Sequence, residues 1–219
     1  MQRVMIPEWL DVDAGNAPEI AASLRDLCRI NRWFGGVGTS LGMLREVARR
    51  TGAVSLSLLE VAAGSGAVPE ACRRILAREG ARLDVTALDR AASHLDHGTR
   101  AVAGDALALP FPDSSFDVVS SNLFVHHLSP AELAAFMDEA LRVARRAVLI
   151  NDLVRSRLHL ALVYAGLPLF SRITRHDAPA SVRQAFTPKE IKSLLATTRA
   201  AGIEIHRRYL YRMAIMIWK

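Results

Sequence analysis

The chain has 219 residues and a formal net charge of +6 at pH 7. Hydrophobic residues make up 51% and charged residues 23%, a composition typical of a globular protein and too apolar for a disordered one. The length predicts one domain. No apolar run reaches the ~20 residues of a membrane-spanning helix. No basic stretch leads into an apolar run at the N-terminus, so no secretory signal is predicted and we expect a cytoplasmic protein.

Cysteine usage and charge pattern exclude some classes of partner. Cys28 and Cys72 are isolated, without a CxxC pair or neighbouring histidine pair, so we expect no disulfide and no metal site. A basic chain is a candidate for nucleic-acid binding. However, the arginines are scattered in ones and twos along predicted helices, without interleaved aromatic residues. We therefore expect no nucleic-acid partner.

The first 50 residues predict a helical cap in front of the main domain. Residues 1–17 show little apolar periodicity and predict an irregular arm. Apolar residues spaced at three and four predict helices at residues 18–31 and 41–50. The glycine-rich segment at residues 33–38 is expected to separate the two helices.

From residue 51 onward, strand and helix patterns alternate. Apolar runs predict strands at residues 54–61, 83–88, 99–103, 116–121, 146–152, 203–208 and 211–218. Helical patterns occupy residues 69–79, 91–97, 130–143, 153–167 and 188–201, and Ser129–Glu132 and Thr187–Glu190 are capping boxes. This order predicts a Rossmann-like α/β fold in a single domain. Residues 51–219 would form a seven-stranded, mostly parallel sheet with a terminal antiparallel strand and helices on both faces.

In such a sheet, ligands bind at the carboxyl ends of the strands. The first predicted strand leads into Glu60-x-Ala62-x-Gly64-x-Gly66, whose small residues let the backbone approach a ligand closely. The spacing differs from the dinucleotide pattern G-x-G-x-x-G. A carboxylate at residue 60 repels a pyrophosphate and attracts an ammonium group. The loop therefore favours a ligand with an amino-acid portion over NAD.

Further acids follow the next strands. Asp89 ends the second strand, where it can accept both hydroxyls of a ribose or cap the following helix. Asp105, within Gly104-Asp105-Ala106, can accept from an adenine amino group. The fourth strand ends at Asn122.

Together with the phrase LPFPDSSFDVV at residues 109–119, these positions resemble the class I S-adenosylmethionine (SAM)-dependent methyltransferases. The resemblance spans roughly residues 55–150 and is strongest to the ubiquinone/menaquinone-methyltransferase-like (type 11) branch of small-molecule enzymes. It implies SAM as the cofactor. It also implies a role for each matching residue. Gly64 and Gly66 would line the methionine portion of SAM, and Glu60 would face the amino end of that portion. Asp89 would hold the ribose, with Arg90 beside the adenine, and Asp105 and Ala106 would also meet the adenine. Asn122 would lie under the sulfonium.

Ala62 stands where this family usually has glycine. It adds a methyl group near the methionine portion, which is tolerable if φ at this residue is negative. This cofactor-binding position is therefore a departure from the family pattern.

Two histidines are candidate catalytic bases. His126 follows the fourth strand, and its unperturbed pKa near ~6.5 suits proton abstraction from a phenol or hydroxyl; the alternative is a packing role. His176 lies beside Asp177 in a polar segment expected to link two helices; the alternative is a solvent-exposed loop. Asp152, at the end of the fifth strand, is a further candidate.

The resemblance implies methylation, at oxygen or carbon, of a small aromatic or lipophilic acceptor such as a quinol, phenol or polyketide-like compound. We expect a monomer or homodimer. The N-terminal segment around residues 29–36 is expected to cover the cofactor, so deleting residues 1–36 should weaken SAM binding. Two alternatives stay open: an RNA methyltransferase, suggested by the charge, and a non-catalytic SAM-binding module.

Overall fold

The computed structural model describes residues 1–91 and 100–219. Its strands form one sheet in the order β3-β2-β1-β4-β5-β7-β6. The strands are β1 (Ser55–Val61), β2 (Arg82–Asp89), β3 (Arg100–Ala103), β4 (Phe116–Asn122), β5 (Ala144–Leu153), β6 (Gly202–Arg208) and β7 (Arg212–Trp218). All neighbours are parallel except β7, which runs antiparallel to β5 and β6. The predicted sheet, with its reversed closing strand, is confirmed.

The α-helices of these residues are α1 (Ala17–Trp33), α2 (Gly36–Thr51), α3 (Ala67–Arg78), α4 (Pro130–Val143), α5 (Arg157–Gly166), α6 (Arg172–Gln184) and α7 (Pro188–Leu195). Both predicted capping boxes are formed, at the starts of α4 and α7. A third, between Asn16 and Glu19, opens α1. None of the helices in residues 1–91 and 100–219 has the length and apolar content needed to cross a bilayer.

Several predicted boundaries are wrong in the second half of the chain. β5 stays paired with β7 as far as Leu153, so α5 begins at Arg157 instead of residue 153. The polar segment expected to link two helices is itself helix α6, which buries Ile173 and Val182 and retains Pro179. The last helix ends at Leu195 instead of residue 201. Burial of an apolar face thus overrides the polar composition of α6.

Two further predictions need correction. Helix α2 begins inside the glycine-rich segment, because Gly35 adopts a left-handed φ of 77° and lets the chain re-enter a helix at Gly36. Residues 104–115 form turns between β3 and β4, so the expected strict alternation of strand and helix fails there. The helix predicted at residues 91–97 lies, apart from Ala91, outside the described residues.

The sheet separates two apolar layers because side chains alternate between its faces. Leu58, Val118 and Leu149 pack on the side covered by α2 and α3. The residues that follow each of these three along its strand pack on the opposite side of the sheet, which is covered by α4 and α7. Helix α2, predicted as part of the cap, buries four apolar side chains in the first layer: Leu41, Met43, Leu44 and Val47. The packed sheet fixes the positions of the loops that follow its strands.

Candidate active site

One cavity of about 800 Å³ lies at the carboxyl ends of β1, β2 and β4. The loops after these strands form one wall, as expected for a doubly wound sheet. The other wall comes from the N-terminal arm, defined here as residues 1–13, and from Leu24, Leu27, Cys28 and Asn31 of α1. The volume falls within the ~300–1,000 Å³ of typical small-molecule sites.

Most of the predicted site residues meet at this cavity. Those that line it are Glu60, Ala62, Gly64, Asp89, Arg90, Asp105, Ala106, Asn122 and His126. Two predicted residues, Gly66 and His176, are not among the residues that line it. Gly66 is buried behind the turn, where its φ of 66° starts helix α3. Its role is to shape the loop from behind.

Glu60 is the buried acid of the site, with only 2% of its surface exposed. Its carboxylate accepts a hydrogen bond from the Ser120 hydroxyl and one of 2.6 Å from the Asn122 amide. Burial raises the pKa of Glu60 to about 7, although both hydrogen bonds act to lower it. The ionised form therefore lacks a full counter-charge, which a ligand ammonium group would supply.

The pKa of Glu60 predicts pH-dependent cofactor binding. Below pH 7, the carboxyl must lose a proton before it can pair with an ammonium group. Affinity for S-adenosylhomocysteine should fall about tenfold for each pH unit below 7, or roughly 30-fold between pH 8 and 5.5. Calorimetry across this range measures the effect. Glu60→Gln is the control and should show a flat profile.

The same ionisation contributes to the pH dependence of stability without ligand. The folded-state pKa of Glu60 lies above its ordinary 4.5, so its stabilising contribution is fully present below pH 4.5 and is lost as pH rises through about 7. The neighbouring Cys72 thiol stays neutral over this range, because burial and the Glu60 charge raise its pKa to about 12.

For the affinity prediction, a native protein whose affinity for S-adenosylhomocysteine stayed constant from pH 8 to 5.5 would contradict the assigned role of Glu60.

The turn after β1 is conformationally demanding. Gly64 has a φ of 52°, and Ala62 has a φ of 54°. The condition stated for Ala62, a negative φ, is therefore not met. A left-handed backbone conformation is unfavourable for any residue with a Cβ atom. Ala62 is therefore strained, and glycine would suit this position better.

Replacing Ala62 by Gly should stabilise the protein by about 1 kcal/mol. The left-handed conformation costs an L-residue roughly 1–2 kcal/mol, and the greater freedom of glycine in the unfolded chain offsets part of this gain. Urea unfolding measures the difference. The matched control is Ala63→Gly, because φ at Ala63 is not positive and the change there should destabilise. An Ala62→Gly variant no more stable than Ala63→Gly would contradict the strain.

Asp89 connects the ends of β1 and β2. Its Oδ2 accepts the Gly64 N–H at 2.7 Å, and its Oδ1 accepts the Ala91 N–H at 3.0 Å. The helix that Asp89 was alternatively predicted to cap lies, apart from Ala91, outside the described residues. Each carboxylate oxygen keeps a second acceptor direction, so the side chain can also bind ligand hydroxyls. Asp105 binds the Leu107 N–H through Oδ1 in a similar turn.

His126 lies on a short 3₁₀ helix after β4 and is 2% exposed. Its Nδ1 is 2.7 Å from Asp152 Oδ1, and its Nε2 is 3.5 Å from Glu8 Oε1. Burial alone lowers the pKa of His126, but the two carboxylates raise it to about 10. The ring thus holds both protons at neutral pH, which argues against the predicted role as a free base.

His176 is a different case. It lies on α6, where its ring stacks on Trp9 with centroids 4.0 Å apart, and its Nδ1 is 2.8 Å from Asp177 Oδ1. Asp177 also accepts the backbone N–H groups of Trp9 and Leu10. The pair holds the N-terminal arm against α6 and does not reach the cavity, so the candidate role of His176 as a base is not supported.

Three polar residues behind the site, Ser40, Asn151 and Arg212, were not predicted from the sequence. Asn122 accepts the Ser40 hydroxyl at 2.7 Å, and Ser40 in turn accepts from Asn151 at 2.9 Å. Arg212 donates to Asn151 at 3.3 Å. We call Glu60, Asn122, Ser40, Asn151 and Arg212 the polar chain. It joins the site to the N-terminal helices, and no local spacing could reveal it because its members lie far apart in sequence.

Part of the chain is similar in sequence to known methyltransferases. Residues 59–150 match the methyltransferase domain family. The demethylmenaquinone methyltransferase of Roseiflexus sp. (strain RS-1) is 33% identical over 115 residues. That match covers 46% of this chain and 46% of the relative, so it spans about half the length of the curated protein.

Solved structures share the fold. An Aquifex aeolicus SAM-dependent methyltransferase superposes with a TM-score of 0.54 at 16% identity, covering 81% of this chain and 87% of that one. A Methanosarcina mazei SAM-dependent methyltransferase superposes with a TM-score of 0.51 at 20% identity, covering 75% and 92%. Residues 59–150 thus match the methyltransferase domain family, and the chain shares the fold of these SAM-dependent methyltransferases.

Proposed function

We propose that the protein transfers the methyl group of SAM to a small acceptor with an aromatic or lipophilic body. The observation that carries this proposal is the mixed lining of one cavity. Acids at the strand ends line the cavity together with the apolar side chains of Met5, Ile6, Phe124, Leu128 and Leu153. A polar nucleoside and an apolar acceptor can therefore share one cavity.

The donor set fits SAM. Glu60 would pair with the ammonium group, with Gly64 beside the methionine portion and Asn122 below the sulfonium. Asp89 would hold the ribose beside Arg90, and the exposed rim at Asp105 and Ala106 would meet the adenine. When bound, SAM supplies an electrophilic methyl group. The remaining task of the chain is to align the acceptor and exclude water.

Glu8 and His126 are polar groups among the apolar side chains of the proposed acceptor end. We infer that they face the reacting oxygen or carbon of the acceptor, and that His176 takes no part. The curated relative is named for methylation of demethylmenaquinone, a lipophilic quinone, which supports an acceptor of this class. The N-terminal arm would close over it.

The test has two stages. Calorimetry with S-adenosylhomocysteine should show one site per chain, weakened by Asp89→Asn and unchanged by Asp84→Asn, an exposed acid on the same strand. Turnover with methyl-labelled SAM should then label a naphthoquinol or alkylphenol, detected by mass spectrometry. Absence of S-adenosylhomocysteine binding would overturn the proposal. Labelling of RNA alone would favour the RNA methyltransferase, and binding without any labelling would favour the non-catalytic module.

A further inference from the structure

Three potential metal ligands converge on one wall of the cavity. Glu8 comes from the N-terminal arm, while His126 and His127 come from the 3₁₀ helix after β4. Each offers one ligand atom, and these atoms all lie within 4.8 Å of one another. No metal site was predicted from the sequence, where Glu8 and the two histidines are more than a hundred residues apart.

His126 has the orientation of a metal-binding histidine. Asp152 is 2.7 Å from Nδ1 and also accepts the His126 backbone N–H at 3.2 Å. A carboxylate at Nδ1 keeps a proton on that nitrogen and leaves Nε2 as the atom that can ligate, the arrangement that recurs behind metal-ligating histidines. Both side chains are 2% exposed, so the ring is held rigidly.

The gap between His126 and Glu8 suits a shared ion. His126 Nε2 and Glu8 Oε1 are 3.5 Å apart, longer than the ~2.7–2.9 Å of a charge-assisted hydrogen bond. Two ligands placed about 2.0–2.1 Å from one tetrahedral ion lie roughly 3.3–3.4 Å from each other. Ser181 Oγ and Gln184 Nε2 also donate to Glu8 Oε1, each at 2.6 Å. Because a carboxylate oxygen has two acceptor directions, one of these two bonds must open when Oε1 binds an ion, and the other then orients the carboxylate. Such outer hydrogen bonds orient a ligating carboxylate.

His127 completes the set. Its ring centroid is 4.2 Å from that of His126, and its Nδ1 is 3.0 Å from Asp11 Oδ2. Glu8, Asp11, His126 and His127 all line the cavity. An ion held here would therefore have protein ligands on one side and open positions on the other, as catalytic metal sites do.

We propose that Glu8, His126 and His127 bind a first-row divalent metal ion whose open positions take an oxygen atom of the methyl acceptor. Imidazole and carboxylate donors suit Zn²⁺, Fe²⁺ or Co²⁺. Binding displaces the proton on His126 Nε2, since a ligating imidazole is neutral. This inference rests on the proposed function for its acceptor and deepens it: the acceptor is a phenol, enol or catechol whose hydroxyl the ion acidifies.

The experiment uses the full chain after dialysis against a chelator. Titration with Zn²⁺ by calorimetry, and with Co²⁺ by visible absorption, should show one ion per chain. Glu8→Gln and His127→Gln should each weaken binding about 100-fold or more. His206→Gln is the matched control, because His206 is an exposed histidine beside Glu204 on β6, and it should bind as the native chain does.

The outcomes separate this site from the proposed function. No stoichiometric binding, or binding that both ligand variants retain, overturns the metal site while S-adenosylhomocysteine calorimetry still tests the cofactor site. Loss of acceptor turnover on chelation, restored by Zn²⁺ or Co²⁺, supports the acceptor role. Turnover that is unchanged in fully demetallated enzyme overturns it.

Discussion

Replacing Glu60 by Gln is expected to weaken SAM binding by about 10–100-fold. The variant keeps the shape of the side chain but removes the charge that would pair with the ligand ammonium group. A charge-assisted hydrogen bond contributes about 1.5–3 kcal/mol, and each 1.4 kcal/mol is a factor of about ten in affinity. Calorimetry with SAM and with S-adenosylhomocysteine should give the same loss, since both carry the amino-acid portion.

The same substitution should not destabilise the ligand-free protein at pH 8. The pKa of Glu60 is raised to about 7 by burial, so above that pH the folded chain holds a desolvated charge that glutamine lacks. Thermal unfolding at pH 8 checks this. Glu79→Gln, an exposed partner of Arg45, is the control for affinity. Unchanged affinity in Glu60→Gln, or equal losses in both variants, would contradict the assigned role.

The second large effect concerns Arg212, which is 1% exposed. Its guanidinium donates to Phe34 O at 2.9 Å, to Asn31 Oδ1 at 2.8 Å and to Asn151 Oδ1 at 3.3 Å. Arg212→Met fills similar space but leaves these oxygens without their donor. Each unsatisfied buried acceptor lowers the free energy of unfolding by about 1–3 kcal/mol. Part of this loss is recovered because methionine, unlike arginine, buries no charge.

We therefore expect Arg212→Met to lower the free energy of unfolding by about 3 kcal/mol and the melting temperature by roughly 6–12 °C. Arg207→Met, an exposed position on the same hairpin, should change stability by less than about 0.5 kcal/mol. Because Arg212 belongs to the polar chain, S-adenosylhomocysteine affinity should also fall in the first variant. If the two variants were equally stable, the buried hydrogen bonds of Arg212 would not contribute to the stability of the protein.

The fold was largely predictable because its signals are local. Apolar runs predicted the strands, and Ser129 and Thr187 opened their helices as expected. The family-typical phrase at residues 109–119 proves to be mainly structural in this chain. Arg142 donates to Leu109 O, Phe111 O and Asp113 Oδ1 at 2.8–3.0 Å. The strand-end acids were predictable for a related reason, since parallel strands bring their carboxyl ends to one edge.

The features that were not predictable from the sequence depend on long-range contacts. Helix α6 is polar in composition, and only its packing against α1 and α5 makes it a helix instead of a link. His176 has an acid beside it, but Asp177 is occupied by the arm. Glu8 is recognisable only once the fold brings residues 8 and 126 together. Histidine pKa values are equally hidden, because they follow from carboxylates far away in the chain.

The N-terminal arm has a kinetic consequence. Arg3 donates to the carbonyl oxygens of His126, Leu128 and Gln184 at 2.5–2.8 Å, so the arm is fastened to both sides of the acceptor end. If the acceptor enters past the arm, these three hydrogen bonds must open together before it can bind. Gating of this kind places an upper bound on the turnover rate that is independent of the chemistry. Weaker hydrogen bonding of the arm would allow small molecules to exchange faster but would exclude water less well.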